Sequence, residues 1–199
     1  MKMTATGLVY IFTGNGKGKT SAALGVAIRA VGQGKRVAMV QWYKERRWKI
    51  GEHNVSVIAR SSAGGGTTRQ SRFEIYPMGQ GFYKLPTDHA STADHQKAAK
   101  KTLKFTENLL FTKSATKGLT FCGQYFLIIL DEVLNAVNDK LIDLIDLIDL
   151  ISKRGQTHII LTGRNAPKEL IDLADLVTEM KNIKHPYKKG RKATLGLDF

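Results

Sequence analysis

Residues 8–21 of the chain read LVYIFTGNGKGKTS, and an alanine-rich segment follows at once. Residues 8–12 form a short apolar run of the kind that builds a buried strand. Three glycines then alternate with other residues, which leaves backbone amides open to an anion, and Lys19-Thr20 leads into apolar residues at helical spacing. Strand, glycine-rich turn and helix in this order predict a phosphate-binding loop, because the amides and the helix N-terminus then face one point.

The loop predicts several contacts with a polyphosphate. Lys19 would place a positive charge on it, and the Thr20 hydroxyl would serve as a magnesium ligand. The general pattern G-x-x-x-x-G-K-[ST] has glycine where this chain has Thr13, so the loop is a variant form. The alternative is an ordinary glycine-rich turn. The candidate nucleotide-binding residues are Thr13, Gly14, Asn15, Gly16, Lys17, Gly18, Lys19, Thr20 and Ser21.

The predicted helix after the loop carries one further candidate. Arg29 lies on a stripe shared with Ala22 and Gly25, so its side chain could reach along small residues toward a bound phosphate. It could equally be a solvent-exposed helix arginine. The spacing alone does not choose between the two interpretations.

A second motif consists of an apolar run, residues 125–130, that leads straight into Asp131 and Glu132. Downstream of a phosphate-binding loop, an apolar strand ending in two acids predicts the other half of a nucleotide site. One carboxylate would hold magnesium, directly or through water, and the other would orient water or a ligand. The alternative is a helix N-terminus, which also favours acidic residues. Thr20, Glu132 and Asp131 are the candidate magnesium ligands.

Composition favours one domain over residues 1–199. The chain is 42% hydrophobic and 24% charged, which suits a sizeable core. Its net charge of +14 should attract nucleotides, phosphorylated substrates or nucleic acid. A single cysteine, Cys122, excludes an intrachain disulfide and suggests a reducing compartment. Because no apolar run is long enough for a signal peptide or a membrane span, we expect a cytoplasmic protein without membrane contact.

Alternating strand and helix patterns predict an α/β fold with a mostly parallel sheet flanked by helices. Residues 60–72 are glycine-rich and predict a flexible loop, and residues 181–199 form a basic segment, either a solvated tail or a phosphate-neutralising flap. The Leu-Ile-Asp repeats from residue 141 to 149 are interpreted as part of one buried helix. The predicted strands are 37–42, 73–76, 157–162 and 176–180, and the predicted helices are 92–111, 138–153 and 168–174.

Residues 43–52 interleave basic and aromatic side chains after a predicted strand. Such a segment could form the wall of a ligand cleft, since open α/β sheets bind ligands at the carboxyl ends of their strands. It could equally be a stacking surface for nucleic acid. A glycine-flexed loop with aromatic residues follows at residues 78–83.

Taken together, the motifs resemble the ATP-dependent corrinoid (cob(I)alamin) adenosyltransferases of the cobalamin-pathway type that carries a P-loop. The similarity covers nearly the whole chain and includes the Thr13 variant of the loop. The matching segments are 13–20, 30–34, 40–42 with Lys44, 51–52, 78–82, 130–132, 161–167, and 173–181 with 184–186.

This resemblance implies a P-loop NTPase-like (RecA-like) single domain that uses ATP as co-substrate with Mg²⁺. Reduced cobalt(I) of a corrinoid attacks C5′ of the ATP ribose, and triphosphate leaves. Lys19, Thr20 and Glu132 are then the candidate catalytic residues, with Arg29 assisting at the phosphates. The resemblance also implies a homodimer and, as a further possible partner, an electron-donating flavoprotein.

On the corrinoid side, Phe82 matches the phenylalanine of an aromatic loop that removes axial ligands from cobalt. Where the family has tryptophan two positions later, this chain has Lys84. Tyr83, Trp42 or Trp48 would have to substitute for that ring, or the corrinoid would be bound differently.

Two other functions remain open from sequence. A different P-loop ATPase or small-molecule kinase would release inorganic phosphate or a phosphorylated product instead of triphosphate. A basic nucleic-acid-binding protein would show binding that collapses with salt and depends little on ATP. The sequence contains no named nucleic-acid-binding module.

Overall fold

A computed structural model describes residues 6–54, 72–111 and 125–197. Its centre is a six-stranded sheet with the order β3-β2-β4-β5-β1-β6, in which all neighbouring strands are parallel. The strands are β1 (Val9–Thr13), β2 (Val37–Gln41), β3 (Phe73–Pro77), β4 (Leu127–Asp131), β5 (His158–Thr162) and β6 (Leu176–Glu179). This confirms the predicted parallel α/β fold, and it brings the carboxyl ends of all six strands to one edge.

Helices cover both faces of the sheet. They are α1 (Lys19–Gly32), α2 (Thr92–Phe111), α3 (Val133–Asn138), α4 (Leu144–Ser152), α5 (Lys168–Leu173) and a 3₁₀ helix, Pro186–Lys189; residues 51–54 are also helical. On one face α1 packs through Ala23, Ala27 and Ala30, whose small side chains allow a close approach to the strands. The other face is covered by α2, α3, α4 and α5. Burial on both faces explains why the central strands are almost wholly apolar.

The helix predicted over residues 138–153 is wrong in its extent. The chain instead forms α3, turns, and begins α4 at Leu144, after Lys140 takes a left-handed backbone conformation with φ 57°. Leu141 and Ile142 are buried from within this turn, only 4% and 5% exposed. Apolar residues at a spacing of three can be buried in a turn as well as in a helix. The repeat therefore does not show at which residue the helix starts.

Other boundaries lie close to the predicted ones. Trp42 falls just beyond β2, and β5 starts at His158. Of the predicted flexible loop only Arg72 belongs to the described residues, and a possible strand at residues 55–59 lies outside them. The basic segment from residue 181 to 197 is largely exposed. None of the helices in the described ranges is long and apolar enough to cross a membrane.

Candidate active site

The glycine-rich loop lies against the end of β6. The Gly16 amide donates to the Met180 carbonyl at 2.6 Å. A Cβ on Gly14, whose φ is +101°, would stand 2.4 Å from that same oxygen, and one on Gly16 would stand 2.8 Å from it. Neither position can hold a side chain without moving the backbone just after β6. Gly14 and Gly16 are therefore required by close packing as well as by access to an anion.

Lys19 folds back into the loop that precedes it. Its ammonium donates to the carbonyl oxygens of Gly14 at 2.8 Å and Gly16 at 2.7 Å. Burial lowers the pKa of Lys19, and the nearby Arg164 guanidinium lowers it further. The ammonium is thus held where the loop amides and the start of α1 converge, as a phosphate site requires.

Asp131 lies at the centre of the polar contacts at the end of β4, and its side chain is fully buried. Its Oδ1 accepts from the Thr20 hydroxyl at 2.8 Å and from the Thr162 hydroxyl at 2.9 Å. Its Oδ2 lies 3.2 Å from the Lys44 ammonium and 3.4 Å from Gln41 Nε2. One carboxylate thereby connects residues from α1, β2 and β5 and the segment after β2.

Lys44 also pairs with Glu52, whose Oε1 accepts from its ammonium at 2.6 Å. Burial opposes the charged form of Lys44, but the charges of Asp131 and Glu52 outweigh it and raise the pKa of this lysine. Burial likewise opposes ionisation of Glu52, but Lys44 keeps the pKa of that carboxyl below its usual value. These side chains form a charged, partly buried cluster beside the phosphate loop.

Glu132 has a strained backbone and an unpaired carboxylate oxygen. Its φ is +63°, which is unusual outside glycine, and its amide donates to the Thr162 hydroxyl at 2.8 Å. Among the described residues its buried Oε2 has no hydrogen-bond partner. Burial, followed by the charge of Asp131, raises the pKa of Glu132 to about 7. An enclosed oxygen that lacks a donor is suited to a cation.

The oxygen ligands present fit magnesium. Within the described ranges, no group of three or more His, Cys, Asp or Glu side chains could hold a metal alone. Magnesium does not require such a group, because it commonly binds one or two carboxylates and completes its shell with phosphate and water. Thr20, Asp131 and Glu132 supply hard oxygen atoms of that kind at one place.

The loop between β5 and α5 is fixed against the same site. The Arg164 amide donates to Asn135 Oδ1 at 2.8 Å, and the Asn138 amide group donates to the Arg164 carbonyl at 2.8 Å. The Ala166 amide donates to the Thr13 hydroxyl at 3.1 Å. Glycine at position 13 would lose that last bond, which gives the variant loop residue a structural role.

The aromatic loop carries two differently placed rings. Phe82 is 41% exposed and packs against Trp48, with ring centroids 5.1 Å apart. Tyr83 packs edgewise on His95, with ring centroids 5.0 Å apart. Lys84 has φ +56°, and its ammonium lies 4.8 Å from the centre of the Tyr83 ring.

Backbone contacts dock this loop onto the segment after β2. The amides of Gly79 and Gly81 donate to the carbonyls of Lys44 and Tyr43, both at 3.0 Å. Because Lys44 also contacts Asp131, the aromatic loop lies at the same edge of the sheet as the phosphate loop. The basic and aromatic segment is thus a wall of the candidate site, in agreement with the first of its two interpretations.

The structure brings most of the predicted site residues together, with two exceptions. Trp42 is 5% exposed and packs in the core, so its ring is not placed to meet a ligand. Arg29 is exposed in the last turn of α1, ten residues from Lys19 and therefore about 15 Å along the helix axis. Its position agrees with the interpretation as a solvent-exposed helix arginine, and its role in ATP binding stays a prediction.

Lys44 and Arg164 are site residues that were not predicted from the sequence. Both follow the carboxyl ends of parallel strands, three residues after β2 and two residues after β5. Their position after predicted strands could have identified them, because the carboxyl ends of parallel strands share one edge of the sheet. Which loops lie beside the phosphate loop depends on the strand order, which is not readable from the chain.

A glycine-rich loop ending in Lys-Thr, which faces an aspartate and a glutamate across a parallel sheet, places the molecule among the P-loop nucleotide-binding proteins. Within that class, the sequence model for ATP:corrinoid adenosyltransferase BtuR/CobO/CobP matches residues 5–199. The chain belongs to this family, and the resemblance noted from its motifs is confirmed.

Named relatives agree with the family. The chain is 32% identical to corrinoid adenosyltransferase CobA of Salmonella typhimurium, over 97% of this chain and 86% of the relative. It is 30% identical to a corrinoid adenosyltransferase of Escherichia coli K12 over the same shares, and 32% identical to one from Sinorhizobium sp over 100% and 83%. A KaiC-like protein from Pyrococcus horikoshii shares 14% identity at a TM-score of 0.44, over 89% of this chain and 75% of that one. This structural likeness is too low to bear on function.

Proposed function

We propose that this chain transfers the 5′-deoxyadenosyl group of ATP to the reduced cobalt(I) of a corrinoid and releases inorganic triphosphate. The single observation that carries the proposal is the phosphate loop, in which Lys19 folds back onto the Gly14 and Gly16 carbonyls and Thr20 bonds Asp131 at the end of β4. Family membership supports ATP and a corrinoid as substrates. It does not favour the alternatives, a kinase-like P-loop enzyme or a nucleic-acid-binding protein.

In this reaction the loop acts on the leaving group. The bond between cobalt and C5′ forms as the bond between C5′ and O5′ breaks, and its electron pair goes to the triphosphate oxygen. The loop amides and the Lys19 ammonium stabilise the charge that collects there. Cobalt(I) is itself the nucleophile, so the reaction requires no nucleophilic side chain and no general base from the protein.

Magnesium would be held by Thr20, Glu132 and Asp131, and it would neutralise phosphate charge. The support is the unpaired, buried Oε2 of Glu132 beside the Thr20–Asp131 contact. When the metal is present, the Thr20 hydroxyl would turn an oxygen lone pair toward it. The same hydroxyl would still donate to Asp131, which would keep Thr162 and Lys44 as its other partners.

The corrinoid would meet Phe82 and Trp48 across the docked aromatic loop. The exposed ring of Phe82 supports this, and the ring of Trp48, which lies against it, would supply the second aromatic ring where this chain has Lys84. Tyr83 would instead hold the aromatic loop against α2, because its ring packs on His95 of that helix. A homodimeric state, a flavoprotein reductase and a cytoplasmic location stay predictions from the sequence.

An anaerobic assay tests the proposal with ATP, Mg²⁺ and chemically reduced cob(I)alamin. Loss of the cobalt(I) absorbance with stoichiometric triphosphate is expected, and Lys19→Ala should lower the rate at least about 100-fold. Lys168→Ala, which removes an exposed lysine of α5 whose ion pair in the described part of the chain is with Asp172, is the matched control and should keep the full rate. Inorganic phosphate released from ATP without loss of cobalt(I) would overturn the proposal.

A further inference from the structure

We propose that Arg164 is a further catalytic residue, which binds the polyphosphate of ATP and stabilises the charge that collects on the departing triphosphate. This inference rests on the proposed function. It adds a cation from the β5–α5 loop to a site in which the phosphate loop supplies Lys19.

The strand order places Arg164 between the two halves of the site. In the sheet, β5 lies between β1, which leads into the phosphate loop, and β4, which ends in Asp131 and Glu132. A loop that leaves the carboxyl end of β5 must therefore emerge between them. Arg164 is the second residue after that strand, so its side chain starts where the polyphosphate and its metal would lie.

The backbone at Arg164 is held in position from two sides. Asn135 and Asn138 of α3 bond its amide and its carbonyl, and Asn138 also donates to the Asn165 carbonyl at 3.3 Å. Gly163 has φ +144°, and a Cβ there would stand 2.6 Å from the Leu134 Cβ, so the turn is pressed against α3. The fixed backbone holds the base of the Arg164 side chain in place, so only the rotamer of that side chain has to be selected when the guanidinium binds.

Among the residues that the structure describes, no carboxylate forms an ion pair with the Arg164 guanidinium. Its side chain is exposed. It lies close enough to Lys19 and Glu132 to influence the pKa of both. Two unneutralised cations that face one space attract a polyanion, and the planar fork of arginine suits two phosphate oxygens at once.

The test compares Arg164→Ala and Arg164→Lys with the wild-type protein. Titration calorimetry with inorganic triphosphate and Mg²⁺ should show binding at least about tenfold weaker for Arg164→Ala, with partial recovery for Arg164→Lys. In the adenosylation assay, kcat/KM for ATP should fall about 100-fold in Arg164→Ala, whereas KM for cob(I)alamin should not change. Lys168→Ala, four residues along the chain, is the control for loss of an exposed charge.

The two readouts separate this inference from the proposed function. Unchanged triphosphate affinity and turnover in both Arg164 variants would overturn the role of Arg164, whatever reaction the wild type performs. Weaker triphosphate binding in Arg164→Ala, with a wild type that does not consume cob(I)alamin, would keep the polyphosphate site and overturn the adenosyl transfer. Thermal unfolding of both variants should match the wild type, because the Arg164 side chain is exposed.

Discussion

At the residue scale, Asp131 is the group on which most of the site depends. It is a buried carboxylate that accepts from two threonine hydroxyls and faces the ammonium of Lys44. Its charge cannot be removed without leaving that lysine with Glu52 alone. Its role is therefore structural before any substrate binds.

Asp131→Asn should lower both stability and activity. The amide keeps an oxygen for the threonines but loses the charge that faces Lys44, which should cost about 2 kcal/mol of unfolding free energy. Adenosylation should fall at least about 100-fold. Denaturant unfolding with Asp172→Asn, an exposed acid paired with Lys168, as the control checks this. Equal losses in the two variants would contradict the role of burial.

For Glu132 we expect the opposite effect on stability, because the buried negative charge of this residue opposes folding. Its carboxylate is enclosed, and its neighbour Asp131 carries the same charge. Glu132→Gln should therefore unfold at the same temperature as the wild type or at a higher one, in the absence of nucleotide and metal.

The same variant should need at least about tenfold more Mg²⁺ for half-maximal activity, since an amide is a weaker ligand than a carboxylate. Magnesium titration of the adenosylation rate measures it. A fall in stability together with an unchanged magnesium requirement would show that Glu132 has a structural role instead.

At the element scale, the aromatic loop and the segment after β2 act as one unit, because backbone bonds from Gly79 and Gly81 join them. The pairing of Phe82 with Trp48 brings one ring from each part together. We infer that the pair, and not a single loop, presents an apolar surface to the corrinoid.

Trp48→Ala should raise KM for cob(I)alamin about tenfold and leave KM for ATP unchanged, whereas Trp48→Phe should retain most of the affinity because the ring contact is kept. Steady-state kinetics with each substrate varied in turn tests this. If KM for ATP rises instead, Trp48 supports the phosphate side of the site.

The β5–α5 loop is the second element with a defined support. Asn138→Ala removes two bonds to this loop and should weaken triphosphate binding less than Arg164→Ala does. In the double variant the two losses should not add, since Asn138 acts only through Arg164. Additive losses in calorimetry would mean that Asn138 contributes independently.

At the scale of the whole molecule, the sequence predicted what is contiguous in the chain and missed what depends on strand order. The phosphate loop and the acidic end of β4 are local patterns with a physical signature, and the structure has both. Lys44 and Arg164 acquire their positions only because β2 and β5 flank β4. No periodicity reports that order.

The differences between the structure and the expectations from sequence follow the same division. Trp42 directly follows an apolar strand, and nothing local shows whether a ring at that point faces a cleft or the core. The Leu-Ile-Asp repeat predicts that every third residue is buried, and both a helix and the turn at Leu141 can bury residues at that spacing.

The net charge of +14 gives a prediction that belongs to the molecule and not to one residue. Raising the salt concentration from about 0.05 to 0.5 M should weaken triphosphate binding severalfold and leave adenosine binding almost unchanged, because only the first involves long-range attraction. Calorimetry at both concentrations measures the difference, and equal sensitivity of the two ligands would contradict it.

The Lys19 ammonium, bonded to the carbonyls of Gly14 and Gly16, has a consequence for how nucleotide enters. Carbonyl oxygens of the loop accept the hydrogen bonds of the Lys19 ammonium, so the loop keeps its shape without a ligand. When ATP binds, phosphate oxygens then replace the carbonyl oxygens of Gly14 and Gly16 as partners of the Lys19 ammonium, and the loop does not have to change its shape. The Gly16 amide, which already bonds the Met180 carbonyl, should consequently exchange slowly in the free protein, whereas the loop amides that face the anion should become slow only when nucleotide is added.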